Sequence, residues 1–208
     1  MCQLQAEAGA ALIATDPAAP STSSPGLRHP RVLGLLLGVA ALIYLLDRGT
    51  KAWALANLEP GVPRDWLGSV LRLHLVFNPG AAFSLGTGVT PVFTIIQASV
   101  AVAVLVAARR VASWPWGVAL GLLLGGVLGN LTNRLTRPPG VGVGHVVDFL
   151  QLPYWPVFNI ADSSIVCAAI TVALLTARGL SWRQPTGAAS HHSTTNAPPP
   201  AVRGDDSA

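Results

Sequence analysis

Four apolar runs dominate the chain: VLGLLLGVAALIYLL (32–46), PVFTIIQASVAVAVLVAA (91–108), WGVALGLLLGGVLGNL (116–131) and VFNIADSSIVCAAITVALLTA (157–177). About 20 mostly apolar residues are needed to cross a bilayer as a helix. The second and fourth runs come close to that length unaided. The first reaches it by continuing through DRGTKAWALANL, which carries its charges inward from the membrane edge. Only 11% of the residues are charged, against about 25% in soluble domains. A large soluble core is the alternative, but the runs lack the polar faces that would cover one. The expectation is a membrane protein, all-α, with four transmembrane helices in one bundle.

Between the first two spans, Leu71, Leu73, Leu75 and Phe77 alternate with Arg72, His74 and Val76, the period of a half-exposed strand. This predicts a small interfacial β-sheet between the first two helices, closed by the turn signal Asn78-Pro79-Gly80, with His74 facing solvent. In the third span Gly117, Gly121, Gly125 and Gly129 recur every four residues. They make a bare stripe that a neighbouring helix can approach closely.

Residues 1–30 and 181–208 are rich in Ala, Pro, Ser and Thr and are expected to be disordered tails around a membrane domain of residues 31–180. The first apolar run has the look of a secretory signal, but three more runs follow it and it is read as a retained span. Cys2 and Cys167 imply neither a disulfide framework nor a metal cluster. The net charge of +4 comes from bases placed singly or in pairs, without the basic stripe that nucleic acid requires.

Four alternating crossings put the end of the first span, the start of the second, the end of the third and the start of the fourth in one leaflet. Asp47, Lys51, Asn78, Asn130, Asn133, Arg134, Asp148, Asn159 and Asp162 all fall there. Polar groups at membrane depth line a cavity or pathway rather than facing lipid. With Arg48, Lys51 and Arg134 set aside as part of that cluster, the remaining bases favour both tails inside and the cluster outside.

Within the cluster, Asp47 and Lys51 are four apart, acid before base, the favourable order for a helical pair. They either neutralise each other or contact a substrate. Arg134 has no acid close in sequence and suits an anion or a carbonyl. Asn130 and Asn159 can each donate and accept, tying loops together or holding a peptide backbone. Asp148 and Asp162 have no Lys or Arg between Arg137 and Arg178 to neutralise them. Two carboxylates that meet share a proton, one acting as base while its protonated partner acts as acid. Helix capping or pairing with Arg134 is the structural alternative, and a metal held with His145 is another. The motifs H-E-x-x-H and G-x-S-x-G are absent. A proton or ion relay would need polar residues across the whole bilayer, and the second and third spans offer little beyond Thr94, Gln97 and Ser99. A non-catalytic scaffold leaves the two acids unexplained.

The blocks DRGTK (47–51), FNPGAAFSL (77–85), GGVLGNLTNRL (125–135), VVDF (146–149) and FNIADSSI (158–165), in this order around four spans, resemble the lipoprotein signal peptidase (signal peptidase II) family. The resemblance covers residues 32–177. It implies an intramembrane aspartyl endopeptidase of the bacterial inner membrane that removes signal peptides from prolipoproteins, cutting before the lipid-modified cysteine. It assigns catalysis to Asp148 and Asp162 and substrate binding to Asn78, Gly80, Asn130, Arg134, Asn159 and Ala161. Asp47 and Lys51 take a supporting role. No metal or other cofactor is expected. The partners are diacylglyceryl-modified prolipoproteins and membrane lipid, and a monomer is expected. One position departs from the pattern: Asn133 stands where the family usually has Asp, which weakens any ion pair with Arg134 or Lys51.

Overall fold

A computed structural model describes residues 30–68, 70–80 and 90–182. Its elements run α1 (Pro30–Asn57), β1 (Arg64–Leu67), β2 (Leu71–Asn78), α2 (Thr90–Ala108), α3 (Trp114–Thr136), β3 (Val146–Gln151) and α4 (Ile160–Ala177). All four helices are long and apolar enough to cross a membrane. The tails expected at 1–30 and 181–208 lie outside the described residues, apart from Pro30, Ser181 and Trp182. Trp182 packs back on the bundle, its carbonyl accepting the Ala112 N–H at 3.1 Å.

Helix α3 is the centre of the bundle. Half of its apolar window is buried within the protein, against 17–22% for the other three helices. The glycine stripe explains how α1 reaches it. A Cβ placed on Gly121 would lie 2.7 Å from the Leu36 carbonyl oxygen, and one on Gly125 would lie 2.6 Å from that of Ala40. Gly117 meets Val32, and Gly129 meets the side chain of Asp47. The stripe therefore runs along α1 and ends against a carboxylate. Gly126, one position off the stripe, gives α4 the same access, with Ala161 and Ser164 against it. In a bilayer, close packing of this kind replaces the hydrophobic drive that water would supply.

The sheet is antiparallel in the order β1-β2-β3. Leu75 is its most buried β2 residue, sharing a cluster with Ala54, Leu58, Val147 and Phe149, so the alternation read in the sequence does turn one face inward. Three details differ from expectation. Asn78-Pro79-Gly80 does not close a hairpin but ends β2, with the Gly80 N–H bonded to Asn78 Oδ1 at 3.0 Å. The third strand comes from VVDFLQ, between α3 and α4, and pairs Val76 with Asp148 and Asn78 with Val146. His74 is half-buried rather than solvent-facing, because Gln151 of β3 lies 3.1 Å from its ring nitrogen.

Candidate active site

Strand β3 and the first turn of α4 each deliver one carboxylate to a common cavity of about 570 Å³. Asp148 enters from the middle of β3, held in place by its pairing with β2. Asp162 is the third residue of α4. A capping box starts that helix, in which Asn159 Oδ1 accepts the Asp162 N–H at 3.0 Å while Asp162 Oδ2 accepts the Asn159 N–H at 3.1 Å. Such reciprocal bonds satisfy N–H groups that a helix start leaves unpaired.

All four carboxylate oxygens accept a hydrogen bond. Asn159 Nδ2 donates to Asp148 Oδ1 at 2.6 Å, and Asn78 Nδ2 to Asp148 Oδ2 at 2.9 Å. Asn130 Nδ2 donates to Asp162 Oδ1 at 2.7 Å. Among the described residues, no cation touches either acid. Burial pushes the Asp148 carboxyl up to about 7, and the charge of Asp162 adds to the rise, only partly offset by the two amide donors and the charge of Lys51. A carboxylic acid held near neutrality can give or take a proton at working pH.

Behind the carboxylates lies a second polar layer. Asp47 and Lys51, both fully buried, form an ion pair at 2.7 Å. Asp47 Oδ1 also accepts the Ala161 N–H at 3.0 Å, capping α4 from α1. Lys51 Nζ donates to Asn130 Oδ1 at 2.8 Å. An ammonium has only donors, so it turns the oxygen of Asn130 towards itself and leaves the Nδ2 for Asp162. Asn159 Nδ2 lies 3.2 Å from the same oxygen and favours the same orientation. A continuous network thus links α1, α3, α4 and β3.

Of the residues singled out in the sequence, Asn78, Gly80, Asn130, Arg134, Asp148 and Asp162 all line the cavity. Asn159 and Ala161 are fully buried and stand behind the carboxylates rather than on the wall. Among the described residues, Arg134 has no acidic partner. Its Nη1 donates to the Pro79 carbonyl at 3.3 Å, its guanidinium lies over the Phe93 ring at 5.8 Å, and its Nε has no hydrogen bond. Asn133, 1% exposed, makes no side-chain hydrogen bond, and the two cations considered for it are directed elsewhere. Among the described residues, no three of His, Cys, Asp and Glu converge, and His145 sits in the loop after α3 with its N–H on the Pro138 carbonyl.

Sequence reasoning missed part of the wall. Phe93 and Gln97 of α2 line it, as does the loop carrying Tyr154, Trp155 and Phe158. The loop residues lie inside the very stretch that carries the two acids. Their apolar character was the available signal, since a site for an apolar peptide needs an apolar wall. The part of the FNPGAAFSL block at 81–85 lies outside the described residues.

A family model described as Signal peptidase (SPase) II matches residues 39–178 of the chain. A protein of Rhodococcus jostii (strain RHA1) named lipoprotein signal peptidase is 48% identical over 163 residues, 77% of this chain and 82% of that protein. A protein of the same name from Streptomyces griseus is 48% identical over 153 residues, 74% and 78% of the two chains. Among solved structures, one described as a bacterial membrane enzyme determined by the in meso method superposes with a TM-score of 0.63 at 25% identity, covering 74% of this chain and 94% of the other. A second with the same description gives 0.60 at 27% identity, covering 69% and 92%.

Proposed function

This chain belongs to the signal peptidase II family of bacterial membrane aspartyl peptidases, which process prolipoprotein signal peptides, and from that premise we propose that Asp148 and Asp162 are its catalytic pair. The observation that carries the assignment is the meeting of the two acids on one cavity wall with all four oxygens fixed by amide donors and neither acid neutralised by a cation. Among the described residues, nothing else on that wall is suited to activating water.

In this reading the pair holds one proton. The ionised carboxylate takes a proton from water as the water oxygen attacks the scissile carbonyl carbon. The protonated partner gives its proton to the carbonyl oxygen, forming a gem-diol. That intermediate then collapses. One hydroxyl proton returns to the pair, the other carboxyl protonates the leaving nitrogen, and the C–N bond breaks. The products are a signal peptide ending in a carboxyl group and a lipoprotein with a free amine on its modified cysteine. The pair is left with one proton, as it began. Asn78, Asn130 and Asn159 hold the carboxylates in register, and Arg134, on the same wall, is placed to hold a substrate carbonyl. The signal helix enters laterally from lipid, while its acyl chains remain in the bilayer.

The raised Asp148 carboxyl sets a pH dependence. Below about 7 the pair keeps its proton; above it both acids ionise and no donor remains for the carbonyl. The expected kcat profile in proteoliposomes falls on the alkaline side with a midpoint near 7 and a slope of about tenfold per pH unit. Asn78→Ala removes a donor that favours the charged form, so the midpoint of its residual activity moves to higher pH. An alkaline limb unmoved by that change would separate it from Asp148.

For topology, we infer that both tails are cytoplasmic and that the cavity opens at the outer leaflet. In support, with Arg48, Lys51 and Arg134 set aside as part of the polar cluster, the end opposite the cavity holds Arg31, Arg109, Arg110 and Arg178 among the described residues, against Arg64, Arg72 and Arg137 at the cavity end. Excess base marks the cytoplasmic side. In a chain freed of Cys2 and Cys167, Val141→Cys on the exposed loop after α3 should react with an impermeant maleimide in spheroplasts. Arg110→Cys should react only after lysis. The reverse pattern would invert the topology.

A further inference from the structure

We propose that Gln97 is a substrate-positioning residue, whose side-chain oxygen accepts a backbone N–H from the unwound end of the signal peptide, just before the cleavage site. The proposal rests on the peptidase reading above and adds to it a residue that none of the family's sequence blocks contains.

Helix α2 presents a regular seam to the bundle. Its buried residues are Thr90, Thr94, Ala101, Val104 and Ala108, and Gln97 completes the alternating steps of four and three between them. Gln97 therefore faces the bundle, on the stripe that packs with Leu124 and Val127 of α3, and not lipid. An apolar residue is expected there. Instead, its Oε1 is buried with no hydrogen-bond partner, while the residue lines the cavity that holds both carboxylates. Thr94, one turn earlier, spends its hydroxyl on the Thr90 and Gly142 carbonyls. Gln97 alone of the polar residues on this stripe is left with an unused acceptor.

Depth indicates what could fill it. Gln97 lies seven residues, ~10 Å, into α2, whereas Asp162 is in the first turn of α4. A signal peptide entering with its amino end towards the cytoplasm places the residues before the cleavage site deeper than the scissile bond. Those residues must leave helical geometry for the carbonyl to be attacked, and each loses its internal partner on doing so. A released N–H has no water to turn to within the bilayer. The empty acceptor of Gln97 is placed to receive one.

The test is Gln97→Met, nearly isosteric and lacking the acceptor, in the full chain reconstituted with a synthetic lipidated prolipopeptide. Cleavage kcat/KM should fall roughly tenfold, and at least threefold, while thermal melting in detergent is unchanged or higher because an unpartnered buried oxygen is gone. A set of substrates with one backbone amide replaced by an ester, scanned through the residues preceding the cleavage site, should contain one that loses a similar factor with the unaltered enzyme and nothing further with Gln97→Met. A fall below threefold, a loss that tracks lowered melting, or independent losses from ester and variant would each overturn the proposal. Asp148→Asn in the same assay keeps the two readings apart: full cleavage there removes the catalytic pair, whereas full cleavage by Gln97→Met removes only the role of Gln97.

Discussion

Asp148→Asn and Asp162→Asn should each reduce prolipoprotein cleavage by roughly 10³-fold or more, the scale of lost general acid–base catalysis. In the proposed mechanism neither residue can cover for the other, because each step of the hydrolysis uses one group as donor and one as acceptor. The double variant is therefore expected to be no slower than either single one, as for any pair acting as a unit. Folding is a separate matter. At Asp148 the amide removes a carboxyl that burial already holds near neutrality, and one of its two donors, Asn78 or Asn159, loses an acceptor. At Asp162 the amide oxygen can stay in the capping box, but the new NH₂ then confronts Asn130 Nδ2, whose own oxygen is committed to Lys51. Such a mismatch costs about 1 kcal/mol or somewhat more. Both proteins should thus melt close to the unaltered chain, with Asp162→Asn the lower. Cleavage by purified protein in proteoliposomes, with melting measured on the same samples, checks both statements. More than about 1% residual rate in either variant would exclude the pair from the chemistry.

The parts of this molecule that the sequence makes legible are those governed by a local period or by a local absence. Four apolar runs read directly as spans, and glycines every fourth residue read as a contact face for which α1 proves to be the partner. The two acids stand out because no base lies near them in sequence, and the fold supplies none in contact among the described residues. What could not be read depends on register between distant segments. VVDFLQ is buried along most of its length, so it lacks the alternation that marks a half-exposed strand, and a short apolar run alone does not declare itself. Resemblance placed Asn159 with substrate. In the fold it is fully buried, with its Nδ2, Oδ1 and N–H all engaged around the two acids. Gln97 reads as a tolerated polar residue in an apolar helix until the α2 seam is aligned with α3.

Asp47→Ala should be the most destabilising single substitution in the polar network. It strands the Lys51 ammonium at 1% exposure with only Asn130 as a contact, and it uncaps the Ala161 N–H at the start of α4. Breaking a buried pair from one side costs about 3–5 kcal/mol, or a melting shift of ~10 °C or more for a chain of this size. The pair itself is worth much less than that figure, because its attraction is set against the desolvation of two ions. Asp47→Ala combined with Lys51→Met removes both charges and should recover most of the lost melting temperature, although the Ala161 N–H stays uncapped. Catalysis should survive in the double variant at a reduced rate. Asn130 would lose the ammonium that orients it, but Asn159 still donates to the same oxygen and keeps the Nδ2 turned towards Asp162. Near-normal cleavage would show that Asn159 alone suffices to orient that amide; complete loss would place Lys51 among the groups acting on substrate. Melting of Asp47→Ala within 2 °C of the unaltered protein, or a double variant no more stable than the single, would contradict a charge held in place by its partner.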